Sequence, residues 1–223
     1  MLILSSIGLS ISLLVESSSW TLRAMSGKSN HGFFNSRASI YLYGGRFFSL
    51  LFMGVMSILA DQQKDINLMT MFISISVTSA ACTQIFYKKM PNFFHWINKI
   101  MTGLIFQKFD MKFDYKQSVI KDNSLKRNTT LATVVVIFGI SSPYILAAFY
   151  PEIRMTISTL GQFITAIGTV LVLFNVDTAL FKKMDKNNLK YYIFEYLEGR
   201  CMGLIFASII FWVIFLLTYI PFL

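Results

Sequence analysis

An all-α, polytopic integral membrane protein is the fold class that three observations predict. Of 223 residues, 55% are hydrophobic and only 14% charged, with a mean hydropathy of +0.59; soluble domains carry about 25% charged residues. The apolar residues fall into six blocks, each close to the ~20 residues a helix needs to cross ~30 Å of hydrocarbon. Lys and Arg outnumber Asp and Glu by 20 to 11, and they cluster between those blocks. In a soluble protein that excess would suggest nucleic acid. Here it reads as topology and as affinity for the anionic headgroups of membrane lipids, so no nucleic-acid partner is expected.

Taken in order, the first block is Leu2–Leu22. No basic stretch precedes its apolar core, so a retained span is expected rather than a cleaved signal. The second, Ile40–Ala60, is interrupted by Arg46 just after Gly44 and Gly45. Glycine there lets a neighbouring backbone approach closely or relaxes the helix. Ile66–Tyr87 carries no charge. Thr130–Tyr150 follows, then Ile157–Val176, in which Gly161 and Gly168 share one helical face and suit close packing. The last block is Met202–Phe222. Together they predict one transmembrane domain over residues 1–223.

Between the third and fourth blocks lies a segment of another kind. In PNFFHWINKIMTGLIFQK, Phe93, Ile97, Ile100 and Leu104 share one face, while Asn98, Lys99 and Gln107 are polar. Lysines flank it on both sides and its apolar length is short. An amphipathic helix in the cytoplasmic interface fits better than a seventh crossing, and a re-entrant path stays open. A charged linker completes residues 91–128.

The connecting segments alternate in charge. Loop one carries Arg23, Lys28 and Arg37; loop three carries nine basic residues from Lys88 to Arg127; loop five carries Lys182, Lys183, Lys186 and Lys190. Loops two and four hold only Lys64 and Arg154. Basic loops stay in the cytoplasm, so both termini are expected outside it.

Several chemistries lack their residues. No GxxxxGK[ST] loop marks a nucleotide site. His31 and His95 stand alone, without a carboxylate cluster of metal spacing. Neither an enzyme, a metal nor a cofactor is expected, and Cys82 and Cys201, with no CxxC partner, read as reduced small hydrophobes.

What remains is a set of charges in or beside the apolar blocks: Glu16, Arg46, Asp177, Glu195, Glu198 and Arg200. A charge at mid-bilayer costs at least ~2.5–3.5 kcal/mol, so each calls for a partner or a watery cavity. Glu16 lies seven residues before Arg23, ~10 Å along a helix, and Arg46 nine residues after Arg37, ~13 Å along the returning one. Matched depth on sequential spans predicts a Glu16–Arg46 pair. Such a pair either fixes helix packing alone or guards a substrate groove; Arg46 snorkelling to headgroups is the other alternative. Asp177 reads as a cap for the following loop, as a partner for Lys182 or Arg200, or as a proton carrier.

Two stretches carry a resemblance. LLVESSSWTLRAMSGKSNHGFFNSRASIYLYGGRFFSL has an acidic residue and Arg23 closing the first span and an arginine in the second. FNVDTALFKKMDKNNLKYYIFEYLEGRCMGLIF places Asp177 after the fifth span, then Arg200 and Gly203 at the sixth. With six spans in a compact chain, this resembles the Amj family of alternate lipid II flippases, although Thr178 stands where that pattern has proline. The resemblance implies a bacterial inner-membrane flippase for a polyprenyl-pyrophosphate-linked saccharide, working beside envelope-biosynthesis enzymes. Arg23, Arg37, Arg46 and Arg200 would then hold pyrophosphate bidentately, with Glu16 and Asp177 as their charge partners.

Overall fold

The computed structural model describes residues 1–24, 31–62, 65–90, 92–93, 96–97, 99–100, 121–186 and 188–220, apart from the side chains of residues 31–34, 37, 155 and 158. Six helices are long and apolar enough to cross a membrane, and no strand occurs among the described residues. The chain is an all-α, multi-pass membrane protein.

The spanning elements are α1 (Leu2–Ala24), α2 (His31–Asp61), α3 (Ile66–Lys89), α4 (Asn123–Phe149), α5 (Arg154–Leu171) and α7 (Leu189–Tyr219). A 3₁₀ turn, Pro151–Ile153, precedes α5; a π-helical turn, Val172–Asp177, joins it to the short α6 (Thr178–Asp185). Successive helices alternate in direction. One end of the bundle, called the basic end below, gathers Lys88, Lys126, Lys183 and the start of α7; the opposite end holds Asp61 and Arg154.

Four helices, α2, α4, α5 and α7, begin earlier than their apolar blocks. α4 starts at Asn123 because Asp122 caps it, its side chain accepting from Leu125 N–H at 2.9 Å. α7 starts at Leu189, so Glu195, Glu198 and Arg200 lie inside the helix rather than leading into it. Of the amphipathic segment, residues 92–93, 96–97 and 99–100 are helical. Phe93 and Ile97 pack against the cluster around Trp20 and Leu197 at the basic end, while Ile100 is exposed. Leu104 and the rest of that segment lie outside the described residues.

Lipid is as apolar as leucine, so packing and hydrogen bonds rather than the hydrophobic effect hold helices together. The serines of α1 supply both. Ser5 meets Ser76 at 3.0 Å, Ser10 meets Ser79 at 3.1 Å, Ser17 donates to Gln84 at 2.9 Å, and Tyr87 donates to Thr21 at 3.0 Å. These form a polar seam along α1 and α3, each contact worth ~0.6 kcal/mol. Elsewhere glycine sets the distance. A Cβ on Gly199 would sit 2.6 Å from Lys126 O, and one on Gly161 2.0 Å from Pro143 Cγ. Gly168 likewise abuts Val136. Gly161 and Gly168 therefore do the packing work expected of them, against α4. Gly45 packs on Ser12 O of α1, while Gly44 faces open space.

The main packing order is α2–α1–α3–α7–α4–α5, a bent row whose two end helices, α2 and α5, flank α4 and leave one side open. The central apolar core (Leu9, Phe52, Met56, Ile73, Ile137, Phe211) draws on α1, α2, α3, α4 and α7 but not on α5. Helix α5 leans mainly on α4.

Candidate functional site

The π turn begins the site. At Val172–Asp177 the helix takes one extra residue, and the Thr178 hydroxyl donates to Leu173 O, five residues back, at 2.9 Å. Such turns redirect side chains and often lie at functional positions. Here the turn delivers Asp177 into the field of Glu16, Arg23 and Arg200. Its Oδ1 is buried without a hydrogen-bond partner.

Glu16 and Arg200 form the centre of this cluster. Arg200 Nη1 lies 2.6 Å from Glu16 Oε1, and Nη2 donates to Oε2 at 2.9 Å. This is the parallel, bidentate arrangement that gives guanidinium–carboxylate pairs their strength. Arg200 is 5% exposed, and its Nη1 also donates to Tyr196 OH at 3.1 Å. Its Nε is buried and unpartnered, leaving one buried donor and one buried acceptor, on Arg200 and Asp177, with unused valences. Arg23, 4% exposed, donates from Nε to Asn35 at 3.0 Å and from Nη2 to Ser39 at 3.2 Å, and lies 4.4 Å over Trp20. Two carboxylates face two guanidiniums, and that neutrality is what permits so many charges inside a bilayer.

The expected Glu16–Arg46 pair does not form. Glu16 pairs with Arg200 instead, and Arg46 is exposed, with only Tyr43 beneath it at 5.6 Å. A helix turns 100° per residue, and depth along it says nothing of direction. The α1–α2 contact runs through Ser12, Val15 and Gly45. Glu16 and Arg46, one residue further along each helix, are rotated away from that seam.

Arg46 instead belongs to the open side. A cavity of about 730 Å³ lies between α2, α4 and α5. Helix α2 contributes Met53, Ser57 and Asp61, and α4 contributes Gly139, Pro143 and Tyr144. From α5 come Arg154, Gln162, Thr165 and Thr169, a polar stripe facing the cavity. Arg46 precedes Met53 by seven residues, hence on the same face of α2 and ~10 Å nearer the basic end. Thr169 follows Arg154 by fifteen residues, ~22 Å by the same rise, which brings it to the depth of Arg46. The groove thus runs from an Asp61–Arg154 contact of 3.6 Å to the level of an arginine with no ion pair among the described residues.

Four of the six expected site residues, Glu16, Arg23, Asp177 and Arg200, come together; Arg46 stands apart, and the side chain of Arg37 lies outside the described residues. Asn35, Ser39, Tyr196, Asp61 and Arg154 were not anticipated as site residues. Tyr196 could have been found, being one helical turn before Arg200. Likewise Gln162, Thr165 and Thr169 recur at helical spacing, a signal of a polar face. Glu198 is clamped at the basic end by Lys88 and Lys126, a structural tie. No group of three or more metal-ligating side chains occurs among the described residues.

No family model, curated protein or solved structure matches this chain. The likeness to the Amj family therefore rests on the two stretches quoted above, and the functional argument on the groove and the ionic cluster.

Proposed function

We propose that this chain is a flippase that carries a polyprenyl-pyrophosphate-linked saccharide from the cytoplasmic to the outer leaflet of a bacterial inner membrane. The observation that carries the reading is the groove between α2, α4 and α5: its α4 wall is largely apolar, Gln162, Thr165 and Thr169 run along α5, and Arg46, with no ion pair among the described residues, lies two helical turns beyond its lining on α2. A membrane scaffold has no use for such a cavity and would pair its intramembrane charges fully. Among the described residues Arg46 has no ion pair.

The chemistry follows from what the cargo cannot do alone. A pyrophosphate and a glycan cannot enter hydrocarbon without polar contacts, whereas the polyprenyl tail is at home in lipid. Arg46 offers a planar fork that matches phosphate, and Gln162, Thr165 and Thr169 line the route beyond it. Arg23 is held by Asn35, Ser39 and Trp20, and Arg200 by Glu16 and Tyr196, so they act as fixed members of the neutral cluster rather than as the first contacts for substrate. An inside-negative potential favours outward movement of an anion by ~2.3 kcal/mol per charge per 100 mV, so no nucleotide site is required.

The test is complementation in cells depleted of their lipid II flippase, scored by periplasmic exposure of lipid II, with a parallel arm in an O-antigen flippase mutant. Rescue in either arm that Arg46→Ala abolishes and Arg46→Lys partly restores is the expected result. An Arg46→Ala chain that inserts and transports at the wild-type rate would overturn the site; rescue in neither arm would overturn the function.

A further inference from the structure

We infer that Arg154 is a second phosphate-binding residue, at the groove end opposite the basic loops, and that Asp61 is the exchangeable anion that holds its place. The ligand class is an amphiphile with a phosphate or pyrophosphate head and an apolar chain. Naming that amphiphile as a polyprenyl pyrophosphate rests on the proposed function; locating the site does not.

The two carboxylate-held arginines of the bundle are held very differently. Arg200 and Glu16 meet at 2.6 and 2.9 Å inside the protein. Arg154 Nη1 stands 3.6 Å from Asp61 Oδ1, beyond hydrogen-bond length, and the Asp61 side chain is 76% exposed. The first pair is a fixture. The second is a loose contact whose acid can turn to solvent at little cost.

Helix polarity points the same way. Asp61 is the last residue of α2, where the negative end of the helix disfavours a carboxylate. Arg154 is the first residue of α5, at the positive end of that helix, which favours an anion. The Nε of Arg154 is buried and unpartnered. A guanidinium presents its Nε–H and one Nη–H as a fork, and here half of that fork is unused. The residue sits at the mouth of a cavity whose volume suits a small ligand and whose walls, Met53, Ile140 and Ala166 among them, suit an apolar chain. Arg154 lines the cavity, and Arg46 lies on the same face of α2 beyond that lining, ~22 Å from the Asp61 end by helical rise.

The experiment measures binding of farnesyl pyrophosphate to the purified full chain in nanodiscs of neutral lipid, with farnesol and inorganic pyrophosphate as the chain-only and head-only probes. Arg154→Ala is expected to weaken farnesyl pyrophosphate at least tenfold, Arg154→Lys less, and neither to change farnesol. Asp61→Asn is expected to tighten it several-fold, a gain that misfolding does not produce. Equal affinity in wild type and Arg154→Ala overturns the site, and unchanged affinity in Asp61→Asn overturns the placeholder role. Displacement of the probe by phosphatidylglycerol at matched concentration reassigns the site to bulk anionic lipid and overturns the polyprenyl assignment. If these dependences hold in a chain that moves no lipid across vesicles, the site stands and the flippase reading falls. If Arg154→Ala flips lipid at the wild-type rate, the reverse holds.

Discussion

Removing Arg200 tests the ionic cluster most directly. Substituting Arg200→Met takes away a guanidinium that is 5% exposed and leaves Glu16 with its bidentate partner gone. Breaking a buried pair by removing one member costs ~3–5 kcal/mol. The Glu16 side chain retains 30% exposure, and water can reach it, so the lower end, ~3 kcal/mol, is expected. Glu16→Met costs less, ~2 kcal/mol, because Asp177 remains to balance the stranded guanidinium. The double variant Glu16→Met/Arg200→Met removes both charges together and returns to within ~1 kcal/mol of wild type, since apolar replacement of a whole buried pair is often neutral. For a chain of this size ~3 kcal/mol corresponds to a midpoint lower by roughly 6–12 °C, which thermal unfolding in detergent micelles resolves readily. If the two single substitutions add in the double variant, the coupling does not exist and the account of the cluster is wrong. The charge swap Glu16→Arg/Arg46→Glu serves as the control and rescues nothing, because those side chains do not meet.

Three further outcomes are expected. Arg46→Ala changes thermal stability by no more than ~0.5 kcal/mol, as for other exposed, unpaired positions, while abolishing substrate movement in the vesicle assay; a large loss of stability would mean that Arg46 is a packing residue. Burial pushes the Asp122 carboxyl up, but hydrogen bonds from Lys183 and from Leu125 N–H outweigh it and leave the group below its ordinary value. Its contribution is therefore complete above the unfolded carboxylate range, ~4, and is lost as pH falls through the folded value; the stability gap between wild type and Asp122→Ala, ~1 kcal/mol for the lost cap, narrows between pH 6 and pH 3. Gly161→Leu forces α5 off Pro143 and destabilises by ~1–3 kcal/mol or more, whereas Gly44→Ala, which meets nothing within 4 Å, is neutral or gains up to ~1 kcal/mol of helix propensity.

The class and the crossings were legible because hydrocarbon thickness and backbone hydrogen bonding leave a chain of this composition few options. Boundaries failed where a polar residue, rather than an apolar one, sets the helix end: Asp122 caps α4, and Glu198 and Arg200 stay within α7 because Lys88, Lys126 and Glu16 compensate them. That Glu16, Asp177 and Arg200 matter was readable from the cost of their burial. Which charge meets which was not, because spacing along two helices yields relative depth while the rotation of each depends on where its small residues find neighbours. Gly45 decided that for α2, and its contact with Ser12 O turned Arg46 outward. The groove was invisible for a related reason: it is formed by two helices that do not pack together, and no pattern within either one reports a gap.

That gap has a mechanical consequence. Five helices share the central core, whereas α5 contributes nothing to it and ends in irregular backbone on both sides, a 3₁₀ turn before it and a π turn after it. Displacing α5 breaks fewer contacts than displacing any other span, and the two irregular turns are where its backbone can bend. The π turn is also what carries Asp177 toward Arg23 and Arg200. A movement of α5 that widens the groove therefore shifts one carboxylate of a neutral four-charge cluster, and the cluster resists by restoring its balance. On the flippase reading, the buried charges at the basic end act as the spring that returns α5 after each passage, and Arg46, fixed to the other wall, stays where the head group first meets the protein.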